Sequence, residues 1–164
     1  MRRRDVLLAA AGAASLVRPG AAAAQGSREA DVLTRALRLE HVTVFAYDAI
    51  ASAAVLTGAR ADRLRRLRGH EAAHAAALGK ALAALGAPRP TAPRALGDVD
   101  VPQVHAALAA LHDGDDALAL LVELERLAVE AYRAALDGLR DAAHLQLVAT
   151  ILAAEASHLV AWRS

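Results

Sequence analysis

Leu39-Glu40-His41-Val42-Thr43-Val44-Phe45-Ala46-Tyr47 and Leu124-Glu125-Arg126-Leu127-Ala128-Val129-Glu130-Ala131-Tyr132 carry Leu, Glu, Val and Tyr at identical spacing, at an offset of 85 residues. Further along each half, Glu71-Ala72-Ala73-His74 and Glu155-Ala156-Ser157-His158 repeat at an offset of 84. In so alanine-rich a chain a match between alanines means little, but these matches fall on other residues. A duplicated helical hairpin is the simplest account.

The surrounding sequence supplies the helices. From Ser27 to Thr57 the apolar residues Leu33, Leu37, Val44, Tyr47, Ala51 and Ala54 follow the helical period. Gly58 interrupts, and Arg60 to Leu85 forms a second helix with Leu64, Leu67, Leu78 and Leu82 on one stripe, closed by Gly86. Ala87 to Pro102 holds four prolines and reads as a crossover loop, with a short helix over Gln103–Leu111. His112-Asp113-Gly114-Asp115 breaks the chain and caps a third long helix, to about Leu139; the fourth runs from about Asp141 to Trp162. Segments with one apolar stripe bury it by packing as a bundle. The predicted class is all-α: a four-helix bundle with a long crossover between its second and third helices.

Composition agrees. Hydrophobic residues make up 56% of the 164 but aromatics only 2%, and the excess is mostly alanine, the best helix former. There is no cysteine, which excludes disulfides, thiolate metal sites and iron–sulfur clusters. The only methionine is Met1. The formal charge of +1 comes from the first 24 residues, which hold four arginines and one aspartate; without them 15 basic and 17 acidic residues remain. No basic patch argues for nucleic acid.

Residues 1–24 read as an export signal. Arg2-Arg3-Arg4 precede a weakly apolar stretch from Val6 to Val17, and Ala21-Ala22-Ala23-Ala24 offers an A-x-A cleavage site. Twelve apolar residues are too few to span a bilayer comfortably. Arg3-Arg4 before Asp5-Val6-Leu7 resembles a twin-arginine signal, which carries folded proteins across the bacterial cytoplasmic membrane. The expected location is therefore periplasmic or extracellular. Contact with a membrane is expected only through an uncleaved signal, and residues 25–164 form the bundle.

Each residue turns an α-helix by about 100°. Glu40 thus falls on the inward stripe between Leu37 and Val44, and Glu125 between Leu121 and Tyr132. Leu67, Glu71, His74 and Leu78 share one face of the second helix; Val148, Ile151, Glu155, His158 and Trp162 share one face of the fourth. Glu123 and Glu130 lie off the stripe. Four inward carboxylates are costly in a metal-free core, because a buried charge costs several kcal/mol and like charges add to it. Two divalent ions balance four carboxylates, and two neutral imidazoles complete the set.

One Glu from each of two helices and Glu-x-x-His from each of the other two resembles the ferritin-like carboxylate-bridged dinuclear proteins. The resemblance covers Ser27 to Trp162 and extends to a tyrosine seven residues after the first and third glutamates. A closer resemblance is to the exported ferritin-like domains of high-GC bacteria, which have no firmly assigned activity. The resemblance implies that Glu71 and Glu155 bridge two ions, that Glu40 with His74 holds one, and that Glu125 with His158 holds the other. It makes Tyr47 and Tyr132 outer hydrogen-bond donors to the carboxylates.

His70-Glu71-Ala72-Ala73-His74 also matches the zinc-protease helix H-E-x-x-H. The repeat argues against it, since Ala154 stands before Glu155, and no strand pattern is present to align a peptide. His41, His105 and His112 have no paired spacing and default to surface or capping roles. His144 shares a face with Glu155 three turns away and is a candidate to line an access path.

Oxygen and imidazole ligands without thiolate suit iron or manganese. The expectation is a protein holding two such ions and oxidising metal or reducing oxygen or peroxide, as ferroxidase, peroxide scavenger or catalase-like oxidoreductase. The alternative is a structural or stress-related bundle that binds metal weakly or not at all. A homo-oligomer is compatible with the sequence.

Overall fold

The structure, a computed structural model, describes residues 19–164. The export-signal reading falls largely on residues 1–18, outside the described residues; α1 (Pro19–Ala53) runs through the expected cleavage position at Ala24. Then follow α2 (Gly58–Ala84), a 3-10 turn at Leu96–Asp98, the short α3 (Pro102–Ala109), α4 (Gly114–Gly138) and α5 (Ala142–Arg163). All the described secondary structure is helical.

The helix ends are set by local chemistry. Gly86 adopts φ +66°, and Ala87 N–H donates to Leu82 O at 3.0 Å while Gly86 N–H donates to Ala83 O at 3.0 Å, a left-handed glycine closure of α2. The Asp113 side chain accepts from the Asp115 and Asp116 amides at 2.9 and 3.0 Å to start α4. Asp141 does the same for α5 through the Ala143 and His144 amides at 2.9 and 3.1 Å. α1 stops at Ala53, short of the expected Thr57, because Ala54 turns to φ 53°.

The core divides into two apolar regions with a polar layer between them. Tyr47, Ile50, Leu64, Leu67, Leu121, Leu124 and Trp162 belong to one region. Leu33, Leu37, Leu78, Leu82, Tyr132, Val148 and Ile151 belong to the other. The stripe at the end of α1 differs from the expected one: Ala51 and Ala54 are exposed, and Ala46 and Ile50 are buried in their place. Alanine gives little hydrophobic signal, so there the larger Ile50 sets the inward direction.

α5 is long and apolar enough to cross a membrane by length and composition. Its inward face nevertheless carries Glu155 and His158, and its outward face is largely small, with Ala149, Ala153, Ala156 and Ser157 exposed.

At the end of the bundle near the α4–α5 turn, the buried Glu29 carboxylate clamps α1 to that turn. Its Oε1 accepts from the Arg140 and Asp141 amides at 2.9 and 3.0 Å and from Gln25 Nε2 at 2.9 Å; its Oε2 lies 2.6 Å from His144 Nδ1. Burial alone would raise this carboxyl, but His144, Gln25 and the two amides outweigh it and hold its pKa at about 2. His144 therefore serves this clamp.

Candidate metal centre

The polar layer consists of the six residues singled out by the repeat. Glu40 comes from α1, Glu71 and His74 from α2, Glu125 from α4, and Glu155 and His158 from α5. The four carboxylates and His158 are buried, and the His74 side chain is 14% exposed. Glu40, Glu71, His74 and Glu155 form one group able to hold an ion; Glu71, Glu125, Glu155 and His158 form a second. In each group one ligand atom per residue lies within 4.8 Å of all the others.

Glu71 and Glu155 belong to both groups, and each points one oxygen at each imidazole. His74 Nδ1 lies 2.8 Å from Glu155 Oε1 and 3.5 Å from Glu71 Oε2. His158 Nδ1 lies 2.8 Å from Glu71 Oε1 and 3.6 Å from Glu155 Oε2. The other two carboxylates stand to either side: Glu40 Oε2 is 4.0 Å from His74 Nδ1, and Glu125 Oε2 is 3.6 Å from His158 Nδ1.

The alignment of these atoms matters more than their closeness. Among the described residues nine buried side-chain oxygens and nitrogens have no hydrogen-bond partner, and all but His41 Nδ1 belong to these six residues. Buried polar atoms are otherwise almost always paired. Four of the eight stand in two pairs 2.8 Å apart, His74 Nδ1 with Glu155 Oε1 and His158 Nδ1 with Glu71 Oε1, without hydrogen-bond alignment. Eight such atoms crowded into one small region fit a metal pair, which takes lone pairs from every side.

The oxygens of Glu40 and Glu125 that do not face the centre are held by tyrosines, in a crossed pattern. Tyr132 on α4 donates to Glu40 Oε1 on α1, and Tyr47 on α1 donates to Glu125 Oε1 on α4. Tyr47 is itself fixed by Trp162 Nε1, which donates to its hydroxyl at 2.9 Å. The Arg63 guanidinium lies 5.6 Å from the centre of the Trp162 ring, which braces the indole in turn.

Electrostatics in the metal-free protein reflect this crowding. Burial, then the charges of Glu155 and Glu71, raise the Glu40 carboxyl well above its ordinary value. Burial is also the leading cause that pushes Glu125 up to about 8. For Glu155, burial is outweighed by contacts with His158 and His74, which hold it at about 2. Burial alone would lower both imidazoles; contact with Glu155 and Glu71 raises His74 to about 10, and contact with Glu125, Glu155 and Glu71 raises His158 to about 11. Protons on imidazoles and carboxyls thus take the place of cationic charge.

His70 was read from the sequence only as part of the H-E-x-x-H motif. It belongs to neither ligand group; it is exposed, and its Nδ1 lies 3.1 Å from His158 Nε2. Glu123 and Glu130, off the stripe, pair with Arg126 on the surface at distances of 2.5–2.8 Å.

A bundle that brings one Glu from each of two helices and Glu-x-x-His from each of two others to one buried centre, with a crossover between its halves, defines the ferritin-like class. The sequence matches the ferritin-like domain family over residues 28–164, and the chain belongs to that family. Among solved structures it is similar to a conserved hypothetical protein, rv2844, from Mycobacterium tuberculosis. That match has 22% identity and a TM-score of 0.73, and covers 85% of this chain and 90% of the other. At that identity the likeness concerns the fold. No curated protein matches the sequence.

Proposed function

We propose that this chain is an exported ferritin-like redox protein that holds two iron or manganese ions and uses them to oxidise metal or to reduce oxygen or peroxide. The observation that carries this reading is the placement of Glu71 and Glu155, each with one oxygen toward each imidazole. The donor set supports the choice of metal: oxygen and imidazole, with no cysteine in the chain. A pair of such ions, when bound, supplies electrons by cycling between divalent and trivalent states.

The chain's own residues do the rest. Glu71 and Glu155 would bridge, Glu40 with His74 would complete one position, and Glu125 with His158 the other. Tyr132 and Tyr47 each hold one oxygen of a terminal carboxylate and leave the other facing the centre. The two apolar regions exclude water from both ends. His74, the more exposed of the two imidazoles, stands toward the solvent side of the centre.

Elemental analysis of protein purified from its native compartment tests the reading, with two iron or manganese ions per chain as the expected result. Glu71→Ala and Glu155→Ala should each lose both ions. A single tightly held zinc that survives Glu155→Ala would instead favour the H-E-x-x-H motif.

Export by the twin-arginine route belongs to the same proposal, because folded export lets the centre fill before the protein leaves the cytoplasm. Changing Arg3 and Arg4 together to Lys should leave precursor in the cytoplasm, as cell fractionation would detect. Efficient export of that variant would remove the route without touching the metal reading.

A further inference from the structure

The sequence repeat is nearly symmetric at the centre, but the structure is not. His158 and His74 correspond in the repeat, and each turns Nδ1 toward the carboxylates. Their far nitrogens differ. His158 Nε2 lies 3.1 Å from His70 Nδ1, with the two ring centres 5.2 Å apart. Among the described residues no hydrogen bond reaches His74 Nε2 from another side chain, and that ring is the more exposed of the two, 14% against 5%. The residue that corresponds to His70 in the second half is Ala154, whose methyl can neither accept nor donate.

A histidine that ligates through Nδ1 must carry its proton on Nε2. An acceptor placed at Nε2 fixes that tautomer, locks the ring orientation and makes the ligating nitrogen more basic. His70 Nδ1 is positioned to be that acceptor for His158. Among the described residues no side chain is placed to accept from the corresponding nitrogen of His74, and solvent holds a ring less firmly.

We infer that His70 is a positioning residue that makes the two metal positions unequal: the position of Glu125 and His158 binds its ion more tightly than that of Glu40 and His74. The inference rests on the dinuclear reading above and adds the order in which the positions fill. An ion supplied below stoichiometry settles at the Glu125/His158 position, and the second ion then completes the pair.

Cobalt(II) is the probe, since it takes the same oxygen and nitrogen ligands, binds more tightly than manganese or iron, and reports its surroundings by visible absorption. Calorimetric titration of the wild type should resolve two ions of different affinity. His70→Ala should weaken one of them by roughly 10- to 100-fold, the usual effect of losing such a partner, and leave the other ion and the stoichiometry in place. His70→Asn should keep most of the lost affinity, because its Oδ1 stands near the place of Nδ1 and accepts a hydrogen bond. In a His158→Ala background His70→Ala should have no further effect; in a His74→Ala background it should keep its full effect.

His70 is exposed on a helix and Ala is the best helix former, so these variants should fold, as a circular-dichroism melt would verify. Equal weakening of both ions, no weakening, or the same loss in Asn and Ala would overturn the inference. Two cobalt ions bound by the wild type, with no response to His70→Ala, overturn this inference alone. No cobalt bound by the wild type overturns the dinuclear reading and this inference with it.

Discussion

Replacing Glu40 and Glu125 together by Gln is expected to make the metal-free protein more stable and to abolish any stabilisation by metal. Both carboxyls are almost wholly buried and both are raised above the ordinary 4.5, Glu125 to about 8. At neutral pH folding must protonate them, or hold charge where little solvent reaches. On linkage grounds the cost is on the order of 1–3 kcal/mol for Glu125, and the raised Glu40 adds to it in the same direction. Gln removes that cost and keeps an oxygen to accept from Tyr132 and Tyr47, where Leu would leave the proton of each buried hydroxyl without its acceptor. Its amide can also donate toward the orphaned oxygens of Glu71 and Glu155. The wild type, in contrast, should gain about 2.7 kcal/mol from a metal present at a hundredfold excess over its dissociation constant. Thermal melts of both proteins, with iron or manganese and with chelator, measure the two effects. The advantage of the double variant should shrink near pH 4, where the wild-type carboxyls are protonated in both states. Identical melts of the wild type with and without metal would defeat the dinuclear reading, and a double variant no more stable than wild type would mean that the glutamates are solvated.

The parts of this architecture legible in the sequence are those carried by large residues in a repeat. Val148, Ile151, Glu155, His158 and Trp162 are all buried on one face of α5, and the turn residues Gly86, Asp113 and Asp141 stop or start helices where the sequence places them. Where alanine fills the pattern, as at Ala51 and Ala54, the inward direction was not readable, because a methyl group contrasts little with its neighbours. The tyrosines show a different limit. Seven residues is two helical turns, about 10 Å along the axis, so Tyr47 has to find its carboxylate on another helix. Which helix depends on how the hairpins dock, and only the structure shows the crossed pairing of Tyr47 with Glu125 and Tyr132 with Glu40. His70 was hidden for the same reason: its partner His158 lies on α5, 88 residues away. Glu29 gave no signal because two of its four partners are turn amides, which any sequence there supplies, and a third, His144, lies on another helix 115 residues away.

Loading the centre with two divalent ions at pH 7 is expected to release about three protons, and to bind progressively more tightly as pH rises from 6 to 8. His74 and His158, raised to about 10 and 11, hold their protons at pH 7 in the metal-free protein, and Glu125 at about 8 holds its own, while burial and the charges of Glu155 and Glu71 push Glu40 in the same direction. Each must give up its proton to offer a lone pair. The same protons set the stability of the metal-free form. The imidazoles contribute stability fully below their ordinary 6.5, and lose it as pH rises through 10 and 11. The neutral Glu125 carboxyl favours folding at low pH, and that contribution is lost from pH 4.5 upward, through 8. Glu155 has the opposite sign: held at about 2, it contributes above 4.5 and loses that contribution only as pH falls through 2. From pH 6 to 9 the metal-free protein should therefore lose stability, by about 1.4 kcal/mol per pH unit for each proton the fold retains beyond the unfolded chain. The loaded protein holds none of these protons, so it should gain stability while the unfolded histidines lose theirs around pH 6.5 and stay level above that, and the two melting curves should separate as pH rises. Calorimetric titration in two buffers of different ionisation enthalpy counts the protons. Release of fewer than about two, with an affinity that does not change with pH, would mean that the carboxylates and imidazoles do not converge as the structure has them.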